Sequence, residues 1–143
     1  MKLTVHLDKN REEEIVVYAH EKSDLVQAIE RLVGDNIAEL IGYKGQEAKP
    51  LILATITGFI VEQDKVYALT EGEKWQVKRR LYQLEDVLPH TFIKLNQSCI
   101  ANIKQIVKFD ASLGGALRVT FRDGYQDYVS RRNVKLVKER LGL

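Results

Sequence analysis

Two segments in the last third of the chain concentrate side chains that form hydrogen bonds in fixed geometries. In the first, the polar triplet Asn96-Gln97-Ser98 interrupts two apolar runs, and in the second, Arg131-Arg132 opens a helix-like segment. An amide offers a donor and an acceptor to the edge of a base, and arginine grips guanine or phosphate through two parallel hydrogen bonds. These residue types predict nucleic-acid recognition rather than catalysis.

Residues suited to catalysis or metal binding are scattered. His6, His20 and His90 lie in unrelated segments, and none has a second ligand at metal-binding spacing. The single cysteine, Cys99, lies in an apolar run and is interpreted as a small core residue. A glycine-rich phosphate loop is also missing. We therefore predict a protein that is not an enzyme, with no cofactor, no metal site and no small-molecule substrate.

Composition and charge bound the class of protein. The chain has 143 residues, 45% hydrophobic and 29% charged, which is typical of a globular protein. No apolar run approaches the roughly 18 residues of a membrane span, and no signal peptide is evident, so we predict a cytoplasmic protein. Residues 1–50 carry 7 Lys+Arg against 10 Asp+Glu, whereas residues 51–143 carry 15 against 10. The basic part is expected to meet phosphates, although ordinary surface variation also explains this excess.

Residues 1–45 are predicted to form a small unit of their own. Its elements are expected to be strands at 3–7 and 15–19, a helix from Ser23 to Gly34 and a strand at 37–43. A unit of this size buries too little to hold a core alone. We predict that it supplies a dimerisation or partner surface.

Residues 46–143 are predicted to be mostly β. The expected strands lie at 51–59, 65–70, 74–79, 98–109, 116–121 and 126–130, with short helices at 81–88 and 131–141. Turn chemistry separates these strands, as in the Arg122-Asp123-Gly124 segment. The predicted fold class is α+β, mainly β, with the domain boundary after residue 45.

The order of these motifs resembles the LytTR family of DNA-binding domains. The resemblance covers about residues 50–143 and depends on five landmarks, namely the hairpin at 56–67, the segment 81–88, the run 92–102, Asp123-Gly124 and Ser130-Arg131-Arg132. It implies an elongated β platform that presents loops to successive major grooves, with no recognition helix. The chain differs from the family where Asn96-Gln97 replaces a frequent His-Arg or His-Asn pair.

The resemblance implies DNA contacts from the first hairpin loop, from the polar pair before Ser98 and from the arginine region. The predicted DNA-contact residues are Gln63, Lys65, Lys94, Asn96, Gln97, Arg131, Arg132 and Lys135. By residue type, the amides and Arg132 suit bases, and the lysines suit phosphates. Structural alternatives stay open for three of them: a simple turn cap for Asn96, an ion pair with Asp127 for Arg131 and a solvated strand position for Lys94.

The sequence thus predicts a sequence-specific regulator of transcription that binds double-stranded DNA, as a homodimer on repeated sites. The resemblance is to short, stand-alone LytTR regulators of Gram-positive bacteria, which implies a small membrane protein as a further partner. One alternative is a protein-interaction or ligand-sensing β module without specific DNA binding. Another is single-strand or RNA binding on an aromatic platform that includes Trp75 and Phe121, although alternating strand positions favour the core for both.

Overall fold

The structure, a computed structural model, describes residues 2–33, 40–111 and 115–143. Within these ranges it contains three α-helices and ten β-strands. The helices are α1 (Asp24–Val33), α2 (Leu81–Val87) and α3 (Arg131–Leu141). The strands are β1 (Ile41–Lys44), β2 (Glu47–Pro50), β3 (Ile56–Glu62), β4 (Lys65–Thr70), β5 (Glu73–Val77), β6 (Phe92–Asn96), β7 (Cys99–Asn102), β8 (Ile106–Ala111), β9 (Leu117–Phe121) and β10 (Gln126–Val129). The predicted mainly β class is confirmed.

Seven strands form a large antiparallel sheet in the order β2-β1-β5-β4-β3-β7-β6. Two of its hairpins, β3-β4 and β6-β7, have tight turns. Gln63 and Asp64 connect β3 to β4, and both have positive φ angles, 50° and 64°, as a type I′ turn requires. Gln97 and Ser98 connect β6 to β7, where Asn96 pairs with Cys99.

The two faces of the large sheet are covered by different elements. On one face Leu84 of α2 and Leu88, which caps the C-terminal end of this helix, are buried in a cluster with Phe59, Trp75, Phe92 and Ile100. On the other face lie α3 and a small sheet in the order β10-β9-β8. The buried residues of this second cluster include Ile60, Ile93, Leu95, Cys99, Val119, Phe121, Val129 and Val137. Cys99, Trp75 and Phe121 are therefore core residues, and this burial removes the predicted aromatic platform for single strands.

The N-terminal segment, residues 2–33, differs from its prediction. The strands expected at 3–7 and 15–19 do not form, and Leu7 and Tyr18 are 96% and 94% exposed. An alternating pattern gives a stable strand only where partner strands and a core are available, and the described structure supplies neither here. The predicted helix is confirmed as α1, and the Ser23 hydroxyl accepts a hydrogen bond from the Val26 amide at 3.3 Å.

The hairpin formed by β1 and β2 crosses the predicted domain boundary after residue 45. β1 pairs with β2 over four residue pairs and with β5 through Tyr43 and Gln76, so residues 41–50 belong to the large sheet. Of the strand predicted at 37–43, residues 37–39 lie outside the described residues. A separate N-terminal unit stays a prediction. Of the residues predicted to form it, residues 2–33 lie outside both sheets.

The long strand predicted at 98–109 is in fact two strands in different sheets. β7 ends at Asn102, a 3-10 turn spans Ile103–Gln105, and β8 then begins the small sheet. The Asn102 side chain causes this crossing, because it accepts a hydrogen bond from the Lys104 amide at 3.1 Å and donates one to the Ile56 carbonyl at 2.9 Å. A 3-10 turn likewise shortens the strand predicted at 51–59, and β2 and β6 were not predicted as strands.

Replacing Asn102 by alanine should lower the free energy of unfolding by about 2–3 kcal/mol, because it leaves buried backbone groups without partners. Asn102 is 3% exposed. The matched control is Gln105→Ala, which removes a solvent-exposed hydrogen bond from an amide to the Ala54 carbonyl and should cost about 1 kcal/mol or less. Urea unfolding measures both, and equal losses would contradict this role for Asn102.

Candidate nucleic-acid interface

The two turns predicted to contact DNA lie side by side at one end of the large sheet. β3 and β7 are neighbours, with Ile60 opposite Cys99. Beyond that pair, the Val61 amide donates a hydrogen bond to the Ser98 carbonyl at 2.9 Å. This bond joins the hairpin that carries Gln63 to the turn that carries Gln97, and both glutamines are exposed.

A β-bulge at Leu95 ties the start of α3 to the same place. The pairing of β6 with β7 shifts between Lys94 and Asn96, so Leu95 is the extra residue on its strand. Its carbonyl turns to α3 and accepts hydrogen bonds from the Ser130 amide at 2.9 Å and from the Asn133 side chain at 3.1 Å. These bonds hold the first turn of α3 beside the Gln97 turn.

Asn96 is buried in this junction instead of facing solvent. Its side-chain NH2 donates to the Asp127 carboxylate at 2.9 Å and to the Tyr128 carbonyl at 2.7 Å, and its Oδ1 accepts from the Ser98 amide at 2.8 Å. Asn96 is only 3% exposed. The prediction that it contacts DNA does not fit this position, because its amide has no group left for a base. The structure instead agrees with the open alternative that Asn96 fixes a turn.

Asp127 is occupied by its own partners. Its carboxylate accepts hydrogen bonds from Asn96, from the Tyr128 amide at 2.8 Å and from the Tyr125 hydroxyl at 2.7 Å. Burial and the hydrogen bond to Asp127 raise the pKa of Tyr125, so this hydroxyl stays protonated and donates. Burial also raises the pKa of the Cys99 thiol well above its ordinary value, which agrees with a core role.

The predicted cations near this junction are not paired with acids. Arg131, Arg132 and Lys135 are exposed on α3, and Lys65 is exposed at the start of β4. Each lies more than 4.0 Å from any carboxylate in the described ranges, so the alternative pairing of Arg131 with Asp127 does not form. The Gln97 side chain likewise has no hydrogen-bond partner there. These groups are available to a ligand.

Lys94 does not join the other predicted contacts. Its neighbours Ile93 and Leu95 pack under the small sheet. Since side chains alternate along a strand, Lys94 lies on the opposite face, which α2 covers. Its ammonium group lies 3.6 Å from the carboxylate of Glu85 on α2. Lys94 is therefore separated from α3 by the sheet itself.

The sequence missed two residues that build this junction. Neither Asn133 nor Asp127 was predicted as a site residue, yet Asn133 donates a hydrogen bond to the Leu95 carbonyl and Asp127 accepts one from Asn96. Their spacing to residue 95 or 96 exceeds 30 residues, so no local pattern shows the contact. In the described part of the chain, no group of three or more His, Cys, Asp or Glu is placed to hold a metal ion. No described helix is long and apolar enough to cross a membrane.

Comparison with known proteins gives both family and fold. The LytTr DNA-binding domain model matches residues 47–142. Among solved structures, a LytTr DNA-binding domain from Bacillus cereus superposes with a TM-score of 0.70 at 19% identity and covers 74% of this chain and 98% of that one. At that identity the likeness shows the fold alone.

Curated relatives match over the full length. Proteins from Staphylococcus aureus strains NCTC 8325, COL and MW2, each named an uncharacterized HTH-type transcriptional regulator, are 34% identical over 146 residues and cover 100% of this chain and 99% of their own. The helix-turn-helix of that name needs two helices joined by a short turn, whereas strands separate α1, α2 and α3. The match of residues 47–142 covers well over half of the chain, and this chain therefore belongs to the LytTr DNA-binding domain family.

Proposed function

We propose that the protein regulates transcription by binding specific double-stranded DNA through the end of the large sheet that carries Gln63 and Gln97, together with Arg132 at the start of α3. The observation that carries the proposal is the junction at Leu95 and Asn96, which brings two turns and a helix start together. At this place, exposed amides and cations have no partner within the described protein. The S. aureus relatives, which are named transcriptional regulators, support the same conclusion.

The side chains divide by chemistry into those for bases and those for phosphates. Gln63 and Gln97 carry a donor and an acceptor that match the major-groove edge of adenine, and Arg132 can bind guanine through two hydrogen bonds. We assign Arg131, Lys65 and Lys135 to phosphates, which fix register rather than sequence. We assign Asn96 the role of positioning Gln97, and we assign no DNA contact to Lys94.

The DNA contact is tested by selection from a random duplex library. Wild-type protein should enrich one motif, and affinity for it should fall steeply with salt, because phosphate contacts release counterions. Gln97→Ala should weaken that motif by about 1–3 kcal/mol and relax the preference at one position, while affinity for unrelated duplex stays nearly unchanged.

The control for this variant is Gln46→Ala. Gln46 is also an exposed turn glutamine, but it connects β1 to β2 at the opposite end of the same sheet. It should leave both affinity and motif unchanged. Equal losses on all sequences for Gln97→Ala would make Gln97 a positioning residue, and absence of any enriched motif would favour the protein-interaction alternative.

Asn96→Ala should lower the stability of the protein much more than Gln97→Ala does. The alanine removes three hydrogen bonds from a buried amide, so the free energy of unfolding should fall by about 2–4 kcal/mol, against about 0.5 kcal/mol or less for Gln97→Ala. Specific DNA affinity should fall in both variants. Chemical denaturation and duplex titration separate the two roles, and an Asn96→Ala protein of normal stability would refute the positioning role.

We further propose that the N-terminal segment joins two copies of the protein on repeated DNA sites. Residues 2–33 expose several large apolar side chains, including Leu3, Leu7, Ile15, Tyr18 and Leu32. Exposed apolar side chains in such a concentration favour association. The acidic balance of residues 1–50 supports a position away from phosphates.

We also propose a cytoplasmic location, because the protein acts on chromosomal DNA in this proposal. The family resemblance implies a small membrane protein as a further proposed partner.

Deleting residues 1–33 should convert a dimer to a monomer, because the deletion leaves both sheets and removes only the apolar segment. Sedimentation equilibrium measures the mass of each form. The truncated protein should keep its preferred motif on a single site and lose cooperative binding to two sites. An unchanged mass together with lost affinity for a single site would instead assign the N-terminal segment to DNA contact.

A further inference from the structure

A second group of cations lies at the same end of the large sheet and shares Lys65 with the predicted DNA contacts. Val66 pairs with Val77, so the chain leaves β5 beside the turn that begins β4. A cleft of about 320 Å³ opens there, and its lining includes the cations Lys65, Lys78, Arg79 and Arg80. Among its lining residues one is acidic, Asp64. The cleft therefore carries an excess of three positive charges.

The cations of the cleft are not neutralised within the described ranges. Three other lysines on the large sheet are paired with acids, as in the 2.8 Å contact of Lys74 with Glu62. In contrast, Lys65, Lys78, Arg79 and Arg80 have no carboxylate of the described residues within 4.0 Å. All four are exposed. The Lys78 ammonium lies 4.3 Å from the centre of the Tyr43 ring, a contact that positions the charge without cancelling it.

One amide in the cleft is oriented so that its donor stays available. The Gln83 Oε1 atom accepts a hydrogen bond from the Arg80 backbone amide at 2.9 Å. Its NH2 group has no partner among the described residues. Donors without acceptors, next to four cations, are suited to an anion with several oxygens.

The position of the cleft relates it to the Gln97 turn. In the strand order, β5 is separated from β7 by β4 and β3. Adjacent strands lie about 4.8 Å apart, so three spacings place the cleft roughly 14 Å from the Gln97 turn along the same end of the sheet. That span corresponds to about four base pairs at 3.4 Å each.

We propose that this cleft binds the phosphate backbone of the same DNA duplex, in the flank outside the bases that Gln97 and Arg132 contact. This inference rests on the proposed function, since it needs a duplex on the same end of the sheet. Arg79 and Arg80 each bind a phosphate, and Lys65, Lys78 and the Gln83 amide support them. The contact adds affinity and register but no sequence preference.

The test uses the full chain and the motif selected by the wild type, in two duplexes. One ends at the motif, and the other extends it by ten base pairs of arbitrary sequence on each side. Wild type should bind the longer duplex more tightly, and the double variant R79Q/R80Q should bind the two duplexes alike. On the longer duplex, the ratio of wild-type to variant affinity should shrink about tenfold from 50 to 200 mM salt, as two lost phosphate contacts require.

The matched control is K104Q/K108Q, which removes two exposed cations at other sites, Lys104 lying just past the opposite end of β7. It should keep the preference for the longer duplex. Thermal unfolding checks that both double variants are folded. The cleft proposal is overturned if wild type binds both duplexes alike or if R79Q/R80Q retains the difference. Failure of the wild type to select any motif would overturn the proposed function itself, which is a separate result.

Discussion

The arrangement of the candidate interface depends on the carbonyl of Leu95. A bulge removes this carbonyl from the regular pairing of β6 with β7, and two donors from the start of α3 bind it instead. The buried amide of Asn96 continues the junction to β10. Because Leu95 and Asn96 are buried, their polar groups must keep their protein partners, and this requirement gives the turn and the helix one relative position.

The large sheet separates two environments. One face packs against α2 and holds Lys94 in an ion pair with Glu85, while the other packs against the small sheet and α3. The exposed amides and cations of the candidate interface lie at the end of the sheet, where turns rather than packed faces meet solvent. Loops held on a rigid sheet are a common place for binding residues, and the proposed DNA contacts use this property.

The sequence by itself determined the family, the mainly β class and most elements of residues 46–143. Periodicity and turn residues have local physical causes, so α1, α2, α3 and hairpins such as β3-β4 could be predicted from them. The strands predicted at 3–7 and 15–19 do not form, because an alternating pattern indicates a possible strand but cannot supply its partner strand. The prediction of one strand at 98–109 was wrong, because the buried side chain of Asn102 holds a turn from which the chain enters a second sheet.

For the candidate site, the sequence selected residue types, and the tertiary structure decided which of them are available. Gln97 and Asn96 are adjacent amides with equal hydrogen-bonding capacity, yet one is exposed and the other is enclosed by Asp127 and Tyr128. Lys94 was predicted to contact DNA because of its charge, but strand alternation places it on the face of the sheet that α2 covers. For Asn96 the physical reason is that its burial and pairing depend on partners more than 30 residues away, which only the folded chain brings together. For Lys94 it is that the tertiary structure decides which element covers each face of the sheet.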